Sequence, residues 1–338
     1  MEIQKDVGLR KYNTFQVEAN AKYFLQAKNL EDVHEAIKFS TSEKLKVLVL
    51  GAGSNILFTK DFEGLVIKME LAGIETISEN EKEIILSVGA GVSWESFVDY
   101  CAASNYWGVE NLALIPGSCG AAPVQNIGAY GQEIKNVFHE AIGISIDTNS
   151  ELKISKEESK LEYRNSVFKS ELKDKFVITS ISFRLSKIPN PIISYKAVTK
   201  EIKKRSLESP TAVDMSNIIK DIRRSKLPDP TVIGNAGSFF KNPVVSNQHF
   251  DKIRKKYPQI IFYPEDKEFI KISAGWLVEN SNWKGKRVGD AGVYEDHALV
   301  LVNYGNASGR QIHNLAKQIK LSVRDKFGIK LDEEVNIL

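Results

Sequence analysis

One run of the chain holds no charged side chain over 22 residues: Asn111-Leu-Ala-Leu-Ile-Pro-Gly-Ser-Cys-Gly-Ala-Ala-Pro-Val-Gln-Asn-Ile-Gly-Ala-Tyr-Gly-Gln132. Charged residues make up 26% of the sequence, so such a run is not expected by chance. Its four glycines and two prolines argue against a helix or a regular strand, and it is long for an idle loop. Small residues, backbone donors and the lack of carboxylates suit a diphosphate joined to a flat ring system. A buried glycine-rich connection is the alternative interpretation.

A glycine turn precedes this run. Val47-Leu-Val-Leu50 is predicted to be a buried strand, and Gly51-Ala-Gly-Ser-Asn55 follows it directly. The dinucleotide-binding fingerprint requires a third glycine where this chain has Ile56, and the next residues predict a strand instead of a helix. Without a helix N-terminus, only a nest of backbone N–H groups remains to bind phosphate oxygens. The turn is therefore either such a nest or an ordinary tight turn.

Hydrophobic periodicity predicts most of the remaining elements. The charged region 196–208 predicts a surface excursion, and Leu227-Pro-Asp-Pro230 predicts a domain junction. The expected helices are one capped by Asn29, then 93–104, 215–226 and 309–327 with Gly328 as its stop, and the expected strands are 65–69, 84–88 and 176–183.

Composition excludes several classes of function. A chain of 338 residues predicts two or three domains, and its net charge of +3 implies no nucleic-acid or membrane partner. Cys101 and Cys119 are too few for a disulfide framework and lack zinc-ligand spacing, so we expect reduced thiols and no metal. The N-terminus lacks the apolar segment of a signal peptide, and no apolar run is long enough to span a bilayer. We therefore expect a cytoplasmic protein.

Several separate motifs, in order along nearly the whole chain, carry a family resemblance. Besides the glycine turn and the uncharged run, they are Asn13-Thr-Phe15, Tyr163-Arg-Asn-Ser-Val-Phe-Lys169, Lys226-Leu-Pro-Asp-Pro230, Gly234-Asn-Ala-Gly-Ser-Phe-Phe-Lys-Asn-Pro243, Ala274-Gly-Trp-Leu277 and Leu331-Asp-Glu-Glu-Val335. Together they resemble the UDP-N-acetylenolpyruvoylglucosamine reductases.

The resemblance implies an α+β flavoenzyme of three domains, with a vanillyl-alcohol-oxidase-type (PCMH-type) FAD-binding fold and a C-terminal substrate-binding α+β domain. We expect FAD-binding parts at 1–70 and 71–226, with 328–338 returning to the second, and a substrate-binding domain at 227–327. The residues expected to bind FAD are Gly51, Ala52, Gly53, Ser54, Asn55, Pro116, Gly117, Ser118, Gly120, Ala121, Asn126, Ile127, Gly128, Ala129, Tyr130 and Gly131.

The family reaction has two halves: NADPH reduces FAD, and a hydride then adds to C3 of the enolpyruvyl ether of UDP-N-acetylglucosamine while C2 is protonated. The product is UDP-N-acetylmuramate. By resemblance, Arg164 holds the substrate carboxylate, Glu334 acts in its protonated form, and Ser238 donates the proton to C2. Taken singly, Arg164 is more typical of a surface arginine, Glu334 of a solvated residue and Ser238 of a turn residue.

Four positions match family contacts with the substrate: Tyr163, Tyr195, Lys226 and Asn242. Tyr195 lies in a proline-flanked excursion, as in the class of these enzymes that has a closing loop. Two positions depart from the family pattern. His297 either faces substrate or is a satisfied structural histidine, and Asn336 replaces a common arginine. We expect a monomer whose partners are NADPH and the enolpyruvyl sugar nucleotide, which use one cleft in turn.

Two other functions remain open from the residues. One is a different flavin oxidoreductase on the same fold, such as an alcohol or sugar-lactone oxidase, with Cys119 as a possible covalent flavin attachment. The other is a nucleotide-sugar-binding protein in which flavin is only structural. The joint presence of Arg164, Ser238 and Glu334 argues against the second.

Overall fold

The computed structural model describes residues 2–265 and 267–338. These residues divide into two compact units. The first comprises 1–7, 21–53 and 62–225, and the second comprises 8–20, 54–61 and 226–338. The main segment of the second unit thus begins at Lys226, just before the proline pair expected at a junction. The division of the chain into three domains stays a prediction.

Helices and strands are mixed along the described chain. The helices are α1 (Leu30–Ser42), α2 (Trp94–Ala103), α3 (Ile134–Val137), α4 (Lys196–Lys204), α5 (Ala212–Arg224), α6 (Asn247–Lys256), α7 (Ala274–Glu279) and α8 (Gly309–Phe327). The strands are β1 (Gln4–Gly8), β2 (Asn20–Ala27), β3 (Val47–Leu50), β4 (Ile56–Leu57), β5 (Phe62–Met69), β6 (Ile74–Glu79), β7 (Glu83–Gly89), β8 (Gly128–Ala129), β9 (Gln132–Glu133), β10 (Phe138–Ser145), β11 (Glu151–Ser155), β12 (Phe176–Ser186), β13 (Gly234–Ser238), β14 (Val244–Ser246), β15 (Phe262–Pro264), β16 (Phe269–Ile272), β17 (Arg287–Val288), β18 (Ala291–Val293), β19 (Val300–Asn303) and β20 (Asn336–Ile337).

The first unit is built on two sheets. One has the order β1-β2-β5-β3, in which β2 and β3 both pair in parallel with the central β5. The other is an antiparallel sheet of order β11-β10-β12-β7-β6. Leu65 and Ile67 of β5 share one hydrophobic core with Leu86 of β7, Phe183 of β12 and Ile219 of α5. Their burial provides the main driving force for this unit.

The second unit packs α8 on a sheet of order β13-β19-β18-β17. Ile312, Leu315, Ile319 and Val323 of α8 are buried, at the spacing expected for one helix face. Phe327 ends this face and packs its ring against Trp276, with 5.5 Å between ring centroids. A three-stranded sheet of order β14-β16-β15 and the short pair β20-β4 complete the unit.

Helix ends follow the capping residues in the sequence. Asn29 accepts a hydrogen bond from the Asp32 N–H and caps α1, as predicted, and α8 has the predicted bounds with Gly328 as its C-cap. The helix expected over 215–226 instead begins at Ala212, because Thr211 and Asp214 form a capping box. The region 196–208 carries the helix α4, which is partly exposed, where only an excursion was expected.

Two further expectations are modified. The uncharged run forms a 3-10 helix over Cys119–Gln125 and two-residue strands, where we expected little regular structure. The C-terminal segment was expected to return to 71–226, and in the structure Asn336–Ile337 pairs in parallel with Ile56–Leu57. Strand pairing joins backbone groups that all residues possess, so the side chains gave no indication of this partner.

Within residues 2–265 and 267–338, we find no helix that is both long enough and apolar enough to cross a membrane.

Gly309 tests the packing of α8. A Cβ at this position would lie 1.7 Å from the carbonyl oxygen of Phe58, which is backbone and cannot rotate away. We expect Gly309→Ala to lower the free energy of unfolding by roughly 3 kcal/mol, measured by denaturant titration. Gly275→Ala is the matched control, because its nearest atom in α7's surroundings would be 3.6 Å away. Equal stability of the two variants would contradict this packing.

Candidate active site

The glycine turn and the uncharged run approach each other closely in the first unit. A Cβ on Gly51 would lie 2.3 Å from the Ser118 Oγ and 3.8 Å from the Ala121 Cβ. The turn follows the carboxyl end of the parallel strand β3, and ligands commonly bind beyond the carboxyl ends of such strands. A side chain at position 51 would therefore require the Ser118 side chain to move.

Residues 117–120 lie along the segment 90–94, which leads into α2. The Trp94 N–H donates to the Gly117 carbonyl (3.1 Å), and the N–H groups of Cys119 and Gly120 donate to Val92 (2.9 Å) and Ala90 (3.0 Å). The N–H groups of Cys119 and Gly120 are therefore used inside the protein. Hydrogen bonds to a diphosphate at this segment would therefore have to come from other groups than the N–H groups of Cys119 and Gly120.

Arg164 lies against the second half of the run. Its Nη2 donates to the Gly128 carbonyl (3.0 Å), and its Nη1 lies 3.4 Å from the Asn126 carbonyl. The guanidinium also lies over the Tyr163 ring, 5.4 Å from its centroid. The Asn126 side chain is itself occupied by Glu133, Glu162 and the Lys135 N–H. The hydrogen bonds of its side chain hold Asn126 in place. They thereby position the backbone carbonyls of this segment, to which Arg164 donates.

Asn111, which sequence reasoning missed, ties the run to the loop that carries Tyr195. Its Nδ2 donates to the carbonyls of Tyr130 and Ile192, both at 2.9 Å. The rings of Tyr130 and Tyr195 meet edge to face with 5.4 Å between centroids. Tyr195 itself stays 44% exposed. Tyr130, which was expected to bind FAD, and Tyr195, which was expected to bind substrate, therefore lie side by side.

Arg223 is a second residue that sequence reasoning missed. Its Nε donates to the Leu114 carbonyl (3.2 Å), and burial lowers the pKa of this guanidinium, while Tyr130 opposes that shift. No carboxylate of the described residues lies within 4.0 Å of it. A partly buried cation without an acid leaves a place for negative charge on a ligand. Its position four residues after Ile219, on the apolar face of α5, was a signal in the sequence.

Cys119 does not favour the covalent-flavin alternative. The side chain is fully buried, and burial raises the pKa of its thiol well above the usual range. A thiol is a nucleophile only as thiolate, and buried thiols are typically inert.

In the second unit, Ser238 is positioned by an irregular strand. It pairs with Val300 of β19 after a break in the register between Asn235 and Ser238. Gly237 adopts φ +68°, and its N–H donates to the Asn235 Oδ1 at 3.0 Å. A left-handed residue at this point favours glycine. The motif around Ser238 thus bends the strand just before the serine.

Glu334 lies beside the same strand. Its N–H donates to the Phe239 carbonyl (2.8 Å), and Phe240 and Glu333 form an antiparallel bridge. The Asn55 Nδ2 lies 3.3 Å from the Glu334 carbonyl. Both residues are partly buried. The fold thereby places Glu334 next to the residue that follows Ser238.

The other predicted residues of this unit are more scattered. The Asn242 Oδ1 accepts a hydrogen bond from the Ala274 N–H at the start of α7 (2.9 Å), and Lys226 is exposed. The His297 Nδ1 lies 3.3 Å from the Leu299 N–H, an arrangement that suits a structural histidine. Asn336 donates through Nδ2 to the Asn55 carbonyl (3.1 Å).

The residues of the first unit fit FAD. The glycine approach leaves a side-chain-free backbone surface, and Arg164 and Arg223 supply positive charge beside it. The expected FAD-binding residues of this unit that are exposed or partly buried, and so accessible to a ligand, are Gly51, Ala52, Pro116, Gly117, Gly120, Ala121, Ile127, Gly128, Ala129, Tyr130 and Gly131. Ser54 and Asn55, which belong to the second unit, are partly buried. Gly53, Ser118 and Asn126 are buried. No cluster of three or more potential metal ligands occurs among the described residues.

Comparison with known proteins defines the class first. A family model described as "FAD binding domain" matches residues 21–144, so the chain is a flavoprotein. A second model, "UDP-N-acetylenolpyruvoylglucosamine reductase, C-terminal domain", matches residues 229–338. A solved structure of this reductase from Thermus caldophilus has a TM-score of 0.68 at 22% identity, covering 100% of this chain and 99% of that one. These matches confirm the predicted fold class of an FAD-binding fold followed by a C-terminal domain.

Full-length relatives then define the family. The UDP-N-acetylenolpyruvoylglucosamine reductase of Flavobacterium johnsoniae is 44% identical over 100% of both chains. Reductases of the same name from Pseudomonas savastanoi pv. phaseolicola and Chromobacterium violaceum are 42% and 41% identical, over 100% of this chain and 99% of each relative. The chain belongs to the UDP-N-acetylenolpyruvoylglucosamine reductase family.

Gly51 provides a test of the FAD site. We expect Gly51→Ala to lose most of its FAD on purification, because the new methyl group collides with Ser118 and separates the turn from the run. The measurement is the flavin-to-protein absorbance ratio, with FAD affinity from fluorescence titration of the apoprotein. Gly51→Ala/Ser118→Ala removes the colliding oxygen and should recover part of the FAD, with Ser118→Ala alone as control. Wild-type FAD content in Gly51→Ala would contradict this site.

Proposed function

We propose that the chain catalyses the NADPH-dependent, FAD-mediated reduction of UDP-N-acetylglucosamine enolpyruvate to UDP-N-acetylmuramate, in peptidoglycan precursor biosynthesis. It is then a UDP-N-acetylmuramate dehydrogenase. Family membership supports this reaction. The structural observation that carries the proposal is the hydrogen bond from the Glu334 N–H to the Phe239 carbonyl, because it joins two motifs far apart in sequence at the proposed proton donor.

Arg164 binds the carboxylate of the enolpyruvyl group in this proposal. Bound FAD, once reduced, supplies the hydride that adds to C3 of the substrate. That addition leaves negative charge on C2, which spreads into the carboxylate. The guanidinium of Arg164 carries a permanent positive charge in a planar fork, which suits a carboxylate better than a lysine would. Its bond to the Gly128 carbonyl fixes the fork in place before the charge develops.

In this proposal Ser238 donates the proton to C2, and Glu334 stabilises the anion that receives it. A hydroxyl is a weak acid in water, but the carbanionic C2 is a strong base, so transfer from the Ser238 Oγ is favourable when the two are held together. An ionised Glu334 would repel the charge on the substrate. We therefore propose that Glu334 acts in its protonated form and donates a hydrogen bond to the developing anion.

The other proposed contacts serve the nucleotide part of the substrate. Tyr163, Tyr195, Lys226 and Asn242 contact its diphosphate or sugar, and Tyr195 is carried by the loop that Asn111 anchors. NADPH and the sugar nucleotide use one cleft in turn, which gives ping-pong kinetics. We further propose that the protein is a monomer that acts in the cytoplasm.

Anaerobic NADPH oxidation tests the reaction. With purified protein, we expect catalytic oxidation only when UDP-N-acetylglucosamine enolpyruvate is present, with UDP-N-acetylmuramate formed in equal amount. A flavoprotein that reduces its FAD once and never turns over with this substrate would contradict the substrate assignment. In a separate aerobic assay without NADPH, oxidation of an alcohol or a sugar lactone with O2 as the electron acceptor would favour the oxidase alternative.

Ser238→Ala tests the proton donor. We expect FAD reduction by NADPH to keep its wild-type rate, while reoxidation by the enolpyruvyl substrate slows about 10²- to 10⁴-fold, because only the second half-reaction needs the proton. Both rates are measured by stopped-flow absorbance of the flavin. Ser322→Ala, at a serine on α8 whose hydroxyl donates to the Gln318 carbonyl, is the control. Equal slowing of both halves in Ser238→Ala would show a role in folding or cofactor binding instead.

A further inference from the structure

Glu333, the neighbour of Glu334, forms an ion pair with a helix of the second unit. The Lys320 Nζ lies 2.7 Å from both carboxylate oxygens of Glu333. The two side chains are only 24% and 21% exposed. The nearby pair Lys330–Asp332 differs on each count, with 3.9 Å between its atoms and exposures of 81% and 69%. Partial burial makes the first pair geometrically defined, whereas the second is an ordinary surface contact.

The backbone links this ion pair to the proposed active site. Glu333 bridges Phe240, and the Lys241 N–H donates to the Asp332 carbonyl (2.9 Å) on one side of that bridge. On the other side, the Glu334 N–H donates to the Phe239 carbonyl (2.8 Å). Because Glu333 and Glu334 share a peptide unit, fixing the Glu333 side chain on α8 restricts the backbone of Glu334.

We propose that the Lys320–Glu333 ion pair positions Glu334, so that Lys320 and Glu333 influence catalysis without contacting substrate. This inference rests on the proposed function of Glu334.

Breaking the pair from either side has opposite electrostatic consequences. Without Lys320, the uncompensated Glu333 carboxylate opposes ionisation of Glu334, so Glu334 stays protonated to higher pH. Without Glu333, the uncompensated Lys320 ammonium favours ionisation of Glu334, so its proton is lost at lower pH. A purely structural role would move both variants in the same direction or not at all.

Other charged groups surround the pair. His313, Lys317 and Lys320 lie on α8, and Glu333 and both lysines influence the pKa of His313, which burial lowers from its usual value. Lys241 lies in the segment between β13 and β14, and Lys330 and Asp332 lie on the same segment as Glu333. Because His313 is already neutral above pH 7, shifts at alkaline pH do not report on it.

The experiment is the pH dependence of kcat of the holoenzyme with saturating NADPH and enolpyruvyl substrate. We expect an alkaline loss of activity as Glu334 ionises. Its midpoint should rise by about 0.5 to 1 pH unit in Lys320→Met and fall by a similar amount in Glu333→Gln. The double variant should return close to the wild-type midpoint. FAD reduction by NADPH should be unchanged in all of them.

Two controls complete the series. Lys330→Met removes the exposed lysine and should leave the midpoint unchanged, and Lys320→Arg keeps the charge and should do the same. If Lys320→Met does not fold, as judged by its Tm, the contrast between Glu333→Gln and Lys320→Arg carries the test.

The contradicting results are distinguishable. If Glu334→Gln keeps the wild-type alkaline loss, the proposed role of Glu334 is wrong, and this inference falls with it. If Glu334→Gln abolishes that loss but Lys320→Met and Glu333→Gln leave the midpoint unmoved, or move it in one direction, only the inference about the ion pair is overturned.

Discussion

The approach of the Gly51 turn to Ser118 is the constraint on which the first unit's site depends. The turn after a parallel strand and the uncharged run come so close that a Cβ at position 51 would lie 2.3 Å from the Ser118 Oγ and 3.3 Å from the Ser118 Cβ. Such an approach is possible only where side chains are small and charges are absent, since a charged group enclosed there would lose its hydration. The composition of the run and the glycine in the turn are therefore two consequences of one packing requirement.

Two arginines lie beside the surface formed by the Gly51 turn and the uncharged run. Arg164 reaches it through the carbonyls of Asn126 and Gly128, and Arg223 through the carbonyl of Leu114. Carbonyl oxygens hold a guanidinium in position without neutralising it, as a carboxylate would. The backbone carbonyls of Gly128 and Leu114 thus help to position the two guanidinium groups.

The second unit contains two acidic residues that are neighbours in the chain. Glu333 and Glu334 are adjacent, yet their surroundings differ: Glu333 has a lysine on α8, and Glu334 is attached through its backbone to the strand of Ser238. The apolar face of α8 packs on β18 and β19, so the helix that supplies Lys320 is also anchored to the sheet that contains Ser238. The helix α8 therefore both packs on this sheet and provides the lysine that pairs with Glu333.

The sequence by itself determined the elements and the motifs. Periodicity located α8 to the residue, Asn29 marked the start of α1, and the order of motifs identified the family before any contact was known. These features are local, because capping and amphipathicity depend on residues a few positions apart. The tertiary structure alone decided that Asn336–Ile337 pairs with Ile56–Leu57, that Asn111 joins the Tyr130 and Ile192 carbonyls, and that Lys320 pairs with Glu333. Backbone hydrogen bonds and single polar side chains leave no periodic trace in the sequence, so only the folded chain reveals which distant residue each of them meets.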